Sequence, residues 1–299
     1  MQTTGDWPIE YEELGDPAYP AIVLIMGLGM QLTSWPEAMC LALVAGGYRV
    51  VRMDNRDSGL SARAPNGQLP RLWQAVAASL LHLPLRVPYR LNDMAGDVLR
   101  VMDALQIERA HVVGASMGGM IAQVLAAQSP ERLLSLTSIM SSSGNPRLPL
   151  PTRKARKALL GRPADPDNPE SVVDHLVEVF GVIGSPAYPE PEANLRERVR
   201  RGVLRAYDPQ GVRRQLLAVI ASGDRRKLLR HIQAPTLVIH GRADPLVPLA
   251  AGQDTAAHVP GARLLVIDGM GHDLPGALVP QISAAILAHC AATSLGRVN

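Results

Sequence analysis

Gly114-Ala115-Ser116-Met117-Gly118-Gly119 directly follows the apolar run Ala110-His111-Val112-Val113, and Met120-Ile121-Ala122-Gln123-Val124-Leu125-Ala126 follows with helix-forming residues at apolar spacing. The pattern predicts a buried strand that turns sharply into a helix with Ser116 at the turn. Small residues at 114 and 118 let the backbone pass, and the tight turn lifts the Ser116 hydroxyl above the sheet edge. The bland alternative is a serine that caps a helix.

A serine hydroxyl is a poor nucleophile near neutral pH, so acyl transfer from Ser116 requires a histidine base and a carboxylate that orients it, in chain order Ser, acid, His. The chain supplies both. The β-rich run Thr236-Leu237-Val238-Ile239-His240-Gly241 ends in the turn Arg242-Ala243-Asp244-Pro245, which puts Asp244 just beyond a strand. Leu264-Leu265-Val266-Ile267 is a further strand pattern, and Asp268-Gly269-Met270-Gly271-His272 carries His272 into a glycine-rich loop after it. Taken singly, Asp244 could be a turn residue before Pro245 and His272 a surface loop residue. Their order, each at a strand end, favours the triad Ser116, Asp244, His272.

Strand and helix patterns alternate elsewhere too. Residues 9–14 alternate with period two, while 21–26, 49–53 and 134–140 are short and nearly continuous in apolar character, as in strands buried on both faces. Helical patterns at 93–105 and 278–289 lie between or after them, which implies a mostly parallel sheet covered by helices, with ligands beyond the carboxyl ends of the strands. The wording at four places, GASMGG (114–119), HGRADPLVP (240–248), GMGHDLP (269–275) and DNRDSGLS (54–61), resembles the α/β-hydrolase superfamily. Within it, Asn55-Arg56-Asp57-Ser58-Gly59 and the GMGH ending are similar to the small-molecule esterase group that includes aclacinomycin methylesterase. The resemblance implies an α/β-hydrolase fold: a mostly parallel eight-stranded sheet flanked by helices, with a helical cap. It also marks two departures, Met26 where the family usually has a histidine before the oxyanion glycine, and Asp57 where a glycine usually follows the arginine.

The tetrahedral intermediate of acyl transfer needs preorganised N–H donors. Met117, next after the nucleophile, and Leu28, in Gly27-Leu28-Gly29, are the candidates for the oxyanion hole. The alternative for GLG is a plain strand-to-helix turn. Gly27, Gly29, Met30, Met140 and Met270 are candidates for the substrate pocket, since methionines cluster around the motifs and Phe180 is the single phenylalanine. Asp54, Arg56 and Asp57 read as turn residues that bind backbone groups near the site.

The chain has 299 residues, 47% of them hydrophobic, enough for one large core. Residues 144–230 hold amphipathic helical patterns separated by proline clusters and no convincing strand, so the expected division is a core of 1–143 and 231–299 with a cap of 144–230 between. A further excursion spans 63–91. Residues 145–230 carry 17 Lys and Arg against 10 Asp and Glu, so the chain's net charge of +3 conceals a basic cap. That excess is either a solvated helical face or an attractor of anionic substrates. No motif or aromatic interleaving points to nucleic acid.

No apolar run near 18 residues and no leader pattern is expected, which places the protein in the cytoplasm without a membrane span. Cys40 and Cys290 sit in apolar helical stretches without metal-ligand spacing, so no metal and no cofactor is expected. A serine elbow disfavours the aspartate-based dehalogenases and epoxide hydrolases and favours a hydrolase of small to medium, largely apolar carboxylic esters. The alternatives are a carbon–carbon bond hydrolase, a lactonase, a cofactor-free haloperoxidase or perhydrolase, and a non-catalytic ligand-binding protein on the same scaffold.

Overall fold

The computed structural model describes the chain except Asp6, Asn66, His82 and residues 296–299. Among the described residues seven strands form one sheet: β1 (Tyr11–Leu14), β2 (Ala21–Ile25), β3 (Arg49–Met53), β4 (Ala110–Ala115), β5 (Leu133–Ile139), β6 (Thr236–Gly241) and β7 (Arg263–Ile267), in spatial order β1-β3-β2-β4-β5-β6-β7. Only β1 runs antiparallel; the other neighbours are parallel. Strands β2, β4 and β6 are buried along their whole length, as their unbroken apolar runs require.

The eight strands implied by the family resemblance are corrected to seven. The extra position beside β1 is occupied by the start of the chain, where the amide of Thr3 donates to Ile9 O (3.0 Å) and that of Tyr11 to Met1 O (2.8 Å). Only the single antiparallel bridge Gln2–Glu10 forms, because Gly5 turns the chain at φ 104° and Pro8 has no N–H for a ladder. Seven strand-like runs are present in the sequence, and the eighth strand had no run of its own.

Helices α1 (Glu37–Ala45), α2 (Leu72–Leu80), α3 (Leu91–Ala104) and α4 (Met117–Gln128) precede β5; α5 (Arg153–Leu160), α6 (Pro169–Ile183), α7 (Glu192–Arg205), α8 (Pro209–Ser222) and α9 (Arg226–Leu229) lie between β5 and β6; α10 (Leu249–His258) and α11 (Val279–Leu295) complete the chain. Two apolar clusters pack on opposite faces of the sheet, one under α3 and α4, the other under α1 and α11. Cys40 and Cys290 are buried there and not disulfide-linked.

The stretch Gly276–Thr293 has a mean hydropathy of 1.3 and is long and apolar enough, by length and composition, to cross a membrane. The expectation of no such run is therefore corrected. Its largest side chains are spent internally: Leu278, Ile282, Ile286 and Cys290, spaced four apart, are buried in the sheet cluster, and alanines dominate the exposed side.

The order of strands reverses between β2 and β4, which are adjacent with Ile25 opposite Gly114. A crevice opens beyond the carboxyl ends at such a switch point. The β2 and β4 ends carry Gly27-Leu28-Gly29 and Ser116.

Candidate active site

Ser116 sits at φ 54°, ψ −118°, a left-side conformation that a side chain adopts only when its surroundings enforce it. Its amide donates to Ile139 O (2.9 Å), and the Ser141 hydroxyl donates to Ser116 O (2.7 Å). The glycines are dictated by close approach: a Cβ on Gly114 would lie 2.2 Å from Gly118 O, and one on Gly118 would lie 2.0 Å from Ile25 O. These backbones meet because nothing projects between them. Ser116 itself is half-exposed.

The imidazole of His272 faces Ser116, with Nε2 3.0 Å from Oγ, while Nδ1 lies 2.7 Å from Asp244 Oδ2. A carboxylate can only accept, so Nδ1 carries the proton and Nε2 is left with a lone pair toward the serine hydroxyl. Asp244 is fully occupied. Its other oxygen accepts the amides of Leu246 (2.9 Å) and Val247 (2.8 Å), so the turn-residue reading and the triad reading both hold, one oxygen each. The sequence brings three residues together over 156 positions, and the arrangement can move a proton from Ser116 Oγ to His272 as the oxygen attacks an electrophile.

His240 steadies that turn from below. Burial holds its pKa below the usual histidine value, and the neutral ring donates from Nε2 to Val247 O at 2.7 Å.

Gly27 is buried against the elbow: a Cβ there would be 3.1 Å from Ser116 Cβ. Leu28, Gly29 and Met30 are half-exposed beside it, and Gly29 adopts φ 68°. Met117 is the first residue of α4, so its N–H has no partner within the helix. The carbonyl of Met26, at the position where a histidine is usual, accepts from Asn55 Nδ2 (2.8 Å), and this fixes the strand end without a ring. Met140 and Met270 are buried in the cluster with Met26 and Ile239 rather than open to solvent.

Asp54, Arg56 and Asp57 bind backbone groups as expected, and more. Asp54 accepts the amides of Leu32 (2.7 Å) and Leu60 (2.9 Å) and ion-pairs with Arg205 at the end of α7 (2.7 Å). Burial is the leading influence on Asp54 and pushes its pKa up, against the pull of these donors. Arg56 forks onto Asp97 of α3. Asp57, at φ 64°, takes the left-handed conformation that explains the glycine usual there. Its carboxylate accepts from Tyr89 Oη (2.5 Å), the Ala64 amide (2.8 Å) and both Nε and Nη2 of Arg214 on α8 (2.8 Å each).

Residues missed in the sequence come from the helical segment between β5 and β6. Ile183 O, an otherwise orphaned carbonyl at the end of α6, accepts the His272 amide (2.7 Å). Ser185 accepts the Gly271 amide (2.9 Å) and donates to Asp273, whose pKa is raised by burial. Gln215 of α8 accepts from the Gly29 amide (2.7 Å) and donates to Arg56 O (2.7 Å). None of these has a local signal, since each contact spans at least 86 residues.

The geometry is that of one large hydrolase family, and comparison decides it. Residues 20–174 match the model described as alpha/beta hydrolase fold, and 219–285 match a second described as TAP-like protein. The chain belongs to the α/β-hydrolase family. Across 99% of both chains it is 32% identical to rhodomycin D methylesterase DnrP of Streptomyces peucetius, and 33% identical, at the same coverage, to rhodomycin D methylesterase DauP of Streptomyces sp. (strain C5). Among solved structures, the enol-lactonase from Burkholderia xenovorans LB400 superposes with a TM-score of 0.72 at 25% identity, covering 95% of this chain and 97% of that one. This α/β-hydrolase thus falls in the methylesterase-like group, and these two relatives, matched over 99% of their length, are methylesterases.

Proposed function

We propose that the protein is a serine esterase that cleaves methyl or comparably small alkyl esters of largely apolar acids through an acyl-enzyme, without a cofactor. The observation that carries this reading is the continuous hydrogen-bonded line Ser116 Oγ, His272 Nε2, His272 Nδ1, Asp244 Oδ2, at 3.0 and 2.7 Å.

Ser116 Oγ attacks the ester carbonyl carbon as its proton passes to His272 Nε2. The carbonyl oxygen becomes an oxyanion that accepts from the Met117 and Leu28 amides, and such donors contribute about 3–4 kcal/mol each in serine hydrolases. The imidazolium is stabilised by Asp244 and returns the proton to the departing alkoxide, which leaves as the alcohol. A water then attacks the acyl-enzyme with His272 as base, and the acid leaves with Ser116 restored. The helical segment 144–230 acts as a cap that fixes the oxyanion loop through Gln215 and the histidine loop through Ile183 and Ser185. Similarity over the full length to methylesterases supports a methyl ester as substrate.

The test pairs labelling with turnover. A fluorophosphonate should label wild-type protein and not Ser116→Ala, and methanol release from methyl esters of bulky acids should fall by at least about 10³-fold in that variant. Labelling without turnover of any methyl ester, alongside rapid opening of enol-lactones or cleavage of diketones, would replace the esterase reading by the corresponding alternative. Absence of labelling would remove the nucleophile.

A further inference from the structure

Exposed apolar side chains and unneutralised cations coincide on this protein. Among the described residues thirteen large hydrophobic side chains are exposed, and nine of them lie in two stretches, 58–92 and 145–164, that make up only 55 of 299 residues. Neither stretch contains a single Asp or Glu. The first carries four arginines and the second six Lys and Arg, so the rest of the chain has a net charge of −7.

The first stretch holds α2, whose buried contact with α8 leaves the opposite face bare: Trp73 is 65% exposed, Val76 and Leu80 follow at helical spacing, and Leu81 and Leu83 are exposed just beyond the helix. The second holds α5, with Leu150, Leu159 and Leu160 exposed around Arg153, Lys154, Arg156 and Lys157. The two meet. Ser79, at the end of α2, donates to Ile220 O (3.0 Å) near the end of α8, and Gly144, just before the second stretch, packs against Gly223 O in the turn that follows α8.

The cations of the second stretch differ from those nearby. On α7, Arg196, Arg198, Arg200, Arg201 and Arg205 each pair with a carboxylate. Among the described residues none of the six basic side chains of 145–164 makes a hydrogen bond or an ion pair, and neither does Arg86. A solvated arginine face would carry balancing acids and no leucines. Tryptophan and leucine among unpaired cations is the composition of a surface that enters the headgroup region of an anionic bilayer, apolar groups toward the acyl chains and cations on phosphate.

We propose that the surface formed by α2, α5 and their flanking loops docks on an anionic lipid bilayer, bringing the enzyme to membrane-dissolved ligands. Among the described residues only Arg63 of the ten cations of the two stretches meets a carboxylate, Asp208 at 3.7 Å, and this excess selects phospholipid headgroups over a second copy of this chain, whose matching surface would be equally positive. The exposed leucines select them over a single-stranded nucleic acid, whose bases would stack on Trp73 but leave Leu80, Leu150, Leu159 and Leu160 in water.

Co-sedimentation with vesicles of phosphatidylcholine alone and of phosphatidylcholine with phosphatidylglycerol tests this. Wild type should partition onto the anionic vesicles only, and about 0.5 M salt should release most of it. Trp73→Ala and the pair Lys154→Glu/Lys157→Glu should each weaken partitioning by at least about tenfold. All these side chains are exposed, so circular dichroism and turnover of a soluble ester should match wild type. Failure to partition, or equal partitioning of the variants, overturns the proposal. A dimer in solution that Trp73→Ala dissociates assigns the surface to a second copy, and tighter binding of a nucleic acid than of anionic vesicles assigns it to that polymer; both overturn the bilayer.

Discussion

Asp57→Asn isolates the contact that ties α8 to the loop after β3. The side chains are almost wholly withdrawn from water, 0% exposed for Asp57 and 4% for Arg214, and the substitution changes neither volume nor shape. What it changes is donor matching. If the amide oxygen takes the place of Oδ1 it still accepts from Ala64 and Arg214 Nη2, but the NH₂ then faces Arg214 Nε–H, donor against donor, and Tyr89 Oη must turn round. The Arg214 charge is left with Asp208 alone, at 3.1 Å. Removing one member of a buried pair costs about 3–5 kcal/mol because the other remains uncompensated. At about 2 °C per kcal/mol for a chain of this length, Tm should fall by about 6–10 °C in differential scanning calorimetry. Arg214→Met should be comparably damaging, and the double variant Asp57→Asn/Arg214→Met should recover at least about 1 kcal/mol of the summed loss. A fall below about 2 °C for Asp57→Asn, or strict additivity in the double variant, would refute the pair as the anchor of α8.

Further expectations concern the site and the core. Ser116→Ala and His272→Ala should each abolish turnover, and their combination should cost little beyond either alone, since the two act as one unit; multiplicative losses in kcat would mean they do not. Ser185→Ala removes the acceptor for the Gly271 amide beside His272 and should lower kcat about tenfold with KM nearly unchanged, because the histidine loses orientation rather than the ester its binding site. A selective rise in KM would contradict that placement. Burial lowers the His111 pKa to about 4, with His289 adding to the effect, so between the ordinary value of 6.5 and 4 the unfolded chain binds more protons and stability falls as pH drops. His111→Gln should lessen that fall in denaturant midpoints, and an unchanged slope would mean the ring does not titrate there.

The sequence was legible where chemistry and local conformation coincide. Ser116, Asp244 and His272 each end a strand-like run, and the runs are the strands that the sheet contains. Asp57 was read as a turn residue, which its positive φ bears out. The cap's contribution was not legible, because Ser185, Gln215 and Arg214 are an ordinary serine, glutamine and arginine until the fold sets them against Gly271, Gly29 and Asp57. The charge excess on 145–230 stayed open between a solvated face and an attractor for the same reason: counting residues cannot show that Arg205 and Arg214 are neutralised by Asp54 and Asp57 of the core, whereas the cations of α5 are not neutralised. The eighth strand was carried in by resemblance alone and failed where Pro8 and Gly5 interrupt the pairing.

The backbone junction between Ile183–Ala187 and Gly269–His272 constrains how this enzyme can diverge. Gly271 has no side chain because one would lie 2.3 Å from Gly184 O, and the Ala187 amide donates to Gly269 O at 3.3 Å, so the two segments are laid against each other without spacing. A lineage that exchanges its helical insertion to admit a new substrate therefore exchanges part of the mould in which the general base is cast. Insertions that preserve the 183–187 backbone can vary on α5, and on α7 outside the Arg205 pair with Asp54, and keep their turnover. Those that shift it must re-evolve the histidine loop in the same step, and chimaeras cut inside 183–187 should be poorer enzymes than chimaeras cut on either side.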